Sequence, residues 1–164
     1  MTQLEIITNK VITREELAFQ LAVWRFKDMK IVWTNGCFDL LHLGHIDYLS
    51  KAKDQGDILI VGVNTDKSVR RIKKEGRPIT DEVSRSTIIA ALRFVDAVIL
   101  FDEETPYEMI QMIQPNVLVK GSDYTAEDIV GYDIVKAKGG EVVTIDFLDG
   151  YSTTAIEEKI RKSH

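Results

Sequence analysis

Five short runs rich in valine and isoleucine, each followed by a helical stretch, constrain this chain more than any other feature. They are Ile31 to Thr34, Asp57 to Val63, Ala97 to Phe101, Val117 to Lys120 and Val142 to Ile145. None alternates cleanly between apolar and polar residues. Strands of that kind belong to a parallel sheet whose two faces are both covered, so the chain predicts an α/β fold with a doubly wound five-stranded parallel sheet. In such sheets ligands sit at the carboxyl ends of the strands, near the point where the strand order reverses. The helices between the strands carry their own signals. Thr13 with Glu16, and Thr105 with Pro106 and Glu108, have capping-box spacing, and Gly56 follows a helix in which Ile46, Leu49 and Ala52 recur. Residues Met1 to Met29 precede the first strand and read as an accessory helix striped by Leu17, Leu21 and Trp24, ahead of a core over 30–164.

The first strand runs into Gly36-Cys37-Phe38-Asp39-Leu40-Leu41-His42-Leu43-Gly44-His45, and the next helix opens there. A helix start offers backbone N–H groups without intrahelical partners and the positive end of the helix dipole, which together favour a phosphate. His42 and His45 are three residues apart, so both side chains share one face of the first turn. Gly36 permits a close turn beneath a ligand, and Gly44 keeps a side chain away from it.

At 164 residues, with 45% hydrophobic and 29% charged residues, the chain is predicted to be one globular domain without a membrane span or signal-peptide pattern, in the cytoplasm. Its net charge of −5 argues against a nucleic-acid partner. The positive charge is gathered locally in Lys67, Arg70, Arg71, Lys73, Lys74 and Arg77, opposed there only by Glu75. That cluster suggests a mobile loop, Lys73 to Gly76, that closes over polyanions. The single cysteine, Cys37, has no partner for a disulfide and no ligand spacing for zinc, and no metal-binding residues are predicted. A second hydroxyl-rich helix start lies at Tyr151-Ser152-Thr153-Thr154, where Thr154 with Glu157 has the spacing of a capping box.

The segment from Gly36 to His45 resembles the GxFDxxHxGH signature of the nucleotidyltransferase superfamily, and 150–156 is similar to that superfamily's ISSTxI-type motif. The resemblance implies a Rossmann-like nucleotidyltransferase fold. It also implies direct transfer of a nucleoside monophosphate to a phosphorylated small molecule, with Mg²⁺ accompanying the nucleotide. His42, His45 and a loop lysine, Lys73 or Lys74, are the implied catalytic groups. The implied nucleotide contacts are Thr34, Asn35, Gly36, Phe38, Asp39, Gly44, Arg85, Lys120, Gly121, Asp123, Tyr151, Ser152, Thr153 and Thr154. Asp39 is expected to orient the turn rather than bind metal. Arg85 is expected to reach substrate or phosphate, and Arg93 and Asp96 to serve fold or dimer contacts.

Three stretches, 34–39, 119–124 and 139–154, look most like adenylyltransferases that convert heptose 1-phosphate to ADP-heptose for lipopolysaccharide biosynthesis. Glycerol-3-phosphate cytidylyltransferases share the signature but carry an arginine before the last motif, where this chain reads Asp146-Phe147-Leu148-Asp149. The resemblance therefore implies ATP and a phosphorylated sugar as substrates, a homodimer, and a separate sugar kinase. A glycerol-3-phosphate cytidylyltransferase, a flavin adenylyltransferase and a non-catalytic nucleotide-binding module are the alternatives.

Overall fold

The computed structural model describes residues 1–163. Five strands, β1 (Ile31–Gly36), β2 (Ile58–Asn64), β3 (Ala97–Phe101), β4 (Val117–Gly121) and β5 (Glu141–Ile145), form one sheet in the order β3-β2-β1-β4-β5. All four pairings are parallel. The chain builds β1, β2 and β3 toward one edge and returns to place β4 and β5 on the other side of β1. The reversal therefore lies between β1 and β4.

Alternate residues of each strand feed opposite faces, which explains why the strands read as continuous apolar runs. On one face Ile31, Trp33, Ile60, Ile99 and Leu118 pack against Leu17 and Leu21 of α2 (Arg14–Phe26) and Met109 and Ile110 of α6 (Tyr107–Ile113). On the other face Val32, Leu59, Val61 and Val119 pack against Leu49 and Ala52 of α3 (Leu43–Lys53) and Ile89 and Ala90 of α5 (Glu82–Ala90). The remaining helices are α1 (Gln3–Thr8), α4 (Asp66–Ile72), α7 (Tyr132–Ala137) and α8 (Thr153–Lys162), with a 3-10 turn at Ala126–Asp128. No helix among the described residues is long and apolar enough to cross a membrane.

Several local expectations change. The segment ahead of β1 holds two helices instead of one, because Val11 leaves the helical path to pair with Val98 at the start of β3. The predicted capping box at Thr13 and Glu16 forms, and Thr2 and Glu5 make a second. Thr105 does not cap α6. Pro106 takes that place, where its missing N–H sacrifices no helical bond. Helix α3 ends at Lys53 with Asp54 as its cap, so Gly56 serves a different purpose: a Cβ there would lie 2.7 Å from the Lys30 carbonyl oxygen. Arg93 falls beyond the end of α5, and Asp96 ties β2 to α3 by accepting from Leu59 N–H at 2.7 Å and from Lys53 at 2.6 Å.

Candidate active site

The carboxyl ends of β1 and β4, the start of α3 and the approach to α8 enclose a cavity of about 560 Å³. Its position at the strand-order reversal is the one expected for a ligand in an open parallel sheet. After β1 the chain turns at Phe38, whose left-handed φ of 50° lays its ring 3.1 Å from where a Cβ of Gly36 would stand. Any side chain at Gly36 would displace that ring. His42 then caps α3 in an extended conformation, and its carbonyl accepts from His45 N–H at 3.0 Å.

The two imidazoles stack with centroids 3.8 Å apart and planes 23° from parallel. Nδ1 of His45 accepts from the His42 N–H at 3.4 Å, which leaves its proton on Nε2. Burial, with His42 alongside, pushes the His45 pKa down to about 4, and burial also lowers that of His42. Both rings are thus neutral in the free protein near neutral pH. The buried Nδ1 of His42 has no hydrogen-bond partner among the described residues. A Cβ at Gly44 would lie 3.0 Å from the His42 ring and 3.3 Å from Cβ of Tyr151, so this glycine accommodates the histidine and the tyrosine as well as any ligand.

The floor is rigid. Tyr48 of α3 shares a hydrogen bond with Thr34 Oγ1 at 2.8 Å and donates to the Val119 carbonyl at 3.1 Å, pinning α3 to β1 and β4 together. Thr34 is fully buried by this arrangement, which removes it from the expected ligand contacts. On the walls, the buried Oδ1 of Asn35 has no hydrogen-bond partner among the described residues. Lys120 makes no hydrogen bond or ion pair among the described residues, and burial holds its amine down to about 8. An unpaired, partly dehydrated cation beside two orphaned polar atoms is a site prepared for a polar, anionic ligand.

Phe147, with Tyr48 and Leu148, is a lining residue that sequence reasoning missed. Its ring lies so close over Gly121 that a Cβ there would sit 2.1 Å from it, and it stacks on Tyr48 at 6.3 Å while remaining 57% exposed. The available signal was one large aromatic between Asp146 and Leu148, in a stretch otherwise noted only for lacking an arginine. Gly121, Asp123, Tyr124, Tyr151, Ser152 and Thr153 complete this side.

His45 also borders a second cavity of about 450 Å³ lined by Lys73, Lys74, Arg77, Thr153, Thr154 and Arg161, among others. Ser152 caps α8 by accepting from Ala155 N–H at 3.0 Å. The cap is therefore Ser152 and not Thr154, and the Thr153 and Thr154 hydroxyls make no hydrogen bond among the described residues. Part of the basic cluster is neutralised: Lys67 and Arg71 pair with Asp102, and Arg77 pairs with Asp39 and Glu157. Among the described residues Lys73 and Lys74 make no such pair.

Two expected contacts are structural instead. Asp39 accepts from Ile79 N–H, Thr80 N–H, the Thr80 hydroxyl and Arg77, which holds its carboxyl below the usual range despite burial. Arg85 is 1% exposed and cannot reach a ligand. Its guanidinium donates to the carbonyls of Thr80, Cys37 and Asn64 and to Asp66, because three chain segments meet there with unsatisfied oxygens. A third, smaller cavity of about 220 Å³ opens on the far side of Lys120, toward Asn64, Phe101, Glu104 and Asp128.

Comparison with known proteins gives a consistent pattern. The family model described as cytidylyltransferase-like matches residues 33–159. The bifunctional protein HldE of Citrifermentans bemidjiense is 51% identical over 156 residues, covering 95% of this chain and 32% of that protein. HldE of Wolinella succinogenes is 51% identical over 155 residues, covering 94% of this chain and 32% of that protein. The chain thus spans about a third of the length of the curated relatives it matches. Among solved structures, the lipopolysaccharide core biosynthesis protein from Thermoplasma volcanium superposes with a TM-score of 0.60 at 32% identity, over 76% of this chain and 99% of the other. Pantoate-beta-alanine ligase from Francisella tularensis, complexed with beta-gamma ATP and beta-alanine, shares the fold at a TM-score of 0.55 and 17% identity, over 88% of this chain and 75% of the other.

Proposed function

The chain belongs to the cytidylyltransferase-like family, and from that premise we propose that it transfers AMP from ATP to a sugar 1-phosphate, heptose 1-phosphate, giving ADP-heptose and pyrophosphate. The observation that carries this reading is the stacked, neutral His42–His45 pair at the start of α3, which shares one cavity with Thr153 and, through His45, a second with Thr153 and Thr154 at the start of α8. The nucleoside lies in the larger cavity against Phe147 and Tyr151. Its α-phosphate meets His45 Nε2–H, and the β- and γ-phosphates extend toward Lys73 and Lys74. The sugar phosphate occupies the smaller cavity, with its phosphate beside Lys120 and its hydroxyls toward Asn64, Glu104 and Asp128.

An oxygen of the sugar phosphate attacks the α-phosphorus in line. That P–O bond forms as the bond to the pyrophosphate oxygen breaks, and pyrophosphate leaves toward the basic loop. Negative charge grows on the oxygens around the α-phosphorus, where neutral imidazole N–H donors held in a desolvated wall are most effective. Mg²⁺ accompanying the ATP would supply charge neutralisation at its phosphates. Among the described residues no group of three histidine, cysteine or acidic side chains is placed to cage a metal, and Asp123 is the carboxylate of the cavity wall that would contribute to holding the ion.

The name of the Thermoplasma volcanium relative, a lipopolysaccharide core biosynthesis protein, supports a sugar acceptor. The same reading has a cytoplasmic homodimer that draws its sugar phosphate from a sugar kinase activity. Pyrophosphate release from ATP or CTP, crossed with heptose 1-phosphate, other sugar phosphates and glycerol 3-phosphate, tests it. ATP with heptose 1-phosphate is expected to give the highest turnover, because the wall at 146–149 offers no arginine to a cytosine. A preference for CTP with glycerol 3-phosphate would replace this reading with the cytidylyl one.

Lys120 makes the affinity pH-dependent. In the free protein its amine loses its proton near pH 8, and a phosphate beside it favours the charged form. Above that pH the free protein must take up a proton to bind. Affinity for the sugar phosphate is therefore expected to weaken as pH rises, by up to about tenfold per unit between the free and bound pKa values. Calorimetric titration from about pH 7 to about pH 9.5 checks this, and a flat profile would separate Lys120 from the phosphate.

A further inference from the structure

Helix α8 brings Ser152, Thr153 and Thr154 to the cavities, yet none of its residues is buried. Among the described residues a single hydrogen-bonded contact ties it to the rest of the chain: Arg77 Nη2 donates to Glu157 Oε2 at 2.6 Å. The same guanidinium donates through Nη1 to Asp39 Oδ2 at 2.8 Å. Asp39 lies inside the turn that leads to His42 and is itself fixed by the backbone N–H groups of Ile79 and Thr80. One side chain therefore spans the turn that carries the histidines and the helix that carries the hydroxyls. The planar fork of arginine suits two carboxylates at once, and the Arg77 side chain is only 18% exposed, which strengthens both contacts relative to a fully solvated pair.

We propose that Arg77 is a positioning residue for nucleotidyl transfer, setting the distance between the His42–His45 pair and the Thr153–Thr154 hydroxyls by clamping Glu157. It acts on the polyphosphate through α8, and so rests on the reading that the triphosphate lies between those two groups. Direct phosphate binding by Arg77 makes the opposite prediction for Glu157. Both of its terminal nitrogens are already committed to carboxylates, so removing the Glu157 charge would free the arginine and tighten binding.

The test uses the full chain with Glu157→Gln, Arg77→Ala and Arg77→Lys. It reads amide hydrogen exchange across 153–160 without ligand, the Kd for MgATP, and KM and kcat. Glu157→Gln is expected to speed exchange in α8 by about tenfold and to weaken MgATP several-fold, with a smaller fall in kcat. The KM for the sugar phosphate is expected to hold, since the acceptor cavity has no wall from α8. Arg77→Ala reproduces this pattern, and Arg77→Lys restores it only in part because an ammonium lacks the fork. Unchanged exchange in α8, faster exchange with an unchanged Kd, or tighter MgATP binding by Glu157→Gln would each overturn the proposal. If the wild-type protein adenylates no sugar phosphate, the proposed function fails, while exchange and the MgATP Kd still decide the clamp.

Discussion

His45→Ala is expected to lower kcat by about a hundredfold or more while leaving KM for ATP much closer to that of the wild type, and His42→Ala to do nearly the same. The expectation follows from where charge appears. In the ground state the α-phosphate already has its negative charge, and water or lysine can satisfy it. In the transition state additional charge accumulates on oxygens that face the imidazole wall, where bulk water does not reorganise to meet it. A donor fixed by the His42 N–H to His45 Nδ1 contact, in a ring held neutral by burial, has no reorganisation to undergo. Losing one such donor costs roughly 3 kcal/mol of barrier. Steady-state kinetics on variants with unchanged circular dichroism measure the effect. A folded His45→Ala protein that kept near-normal kcat would remove the histidines from the chemistry.

Arg85→Ala is expected to act on stability with comparable force. The guanidinium satisfies three carbonyls and the Asp66 carboxylate in a site sealed from water. Alanine leaves those oxygens without donors and opens a cavity where the side chain stood, a loss of about 3 to 5 kcal/mol. For a chain of this length the melting temperature is expected to fall by roughly 10 °C or more. Arg85→Lys recovers little, since an ammonium cannot reach acceptors spread around a planar fork. Calorimetry distinguishes the structural role from a ligand contact: an Arg85→Ala protein with wild-type melting and lost turnover would return this arginine to the substrate.

The contrast between His45 and Arg85 shows what is legible in a sequence. The strands could be read because burial on both faces demands continuous valine and isoleucine, and the phosphate end of α3 could be read because its backbone and its two histidines are neighbours in the chain. Arg85 was misplaced because three of its four partners, Cys37, Asn64 and Asp66, lie 19 to 48 positions away in the chain. Nothing in the local pattern separates a buried arginine from one aimed at a phosphate. Phe147 escaped for the same reason: its importance comes from Gly121 beneath it, at the end of β4. Asp39 was assigned to fixing its turn, but its partners at Ile79 and Thr80 are distant in sequence. The single accessory helix failed because the pairing of Val11 with Val98 is a tertiary event that local helix signals do not announce.

The central place of β1 in the sheet also fixes when, during folding, a site can exist at all. The β1–β2 register runs over six residue pairs between neighbouring elements of the chain, whereas β1 meets β4 only through Val32 with Val117 and Trp33 with Leu118. That second seam closes a loop of more than eighty residues for few ladder contacts, an entropic cost that accrues before packing repays it. Asn35 and the histidines lie on one side of the seam, Lys120 and Phe147 on the other. A cavity therefore exists only where β4 has joined β1, so ligand affinity belongs to the two halves together and to neither alone.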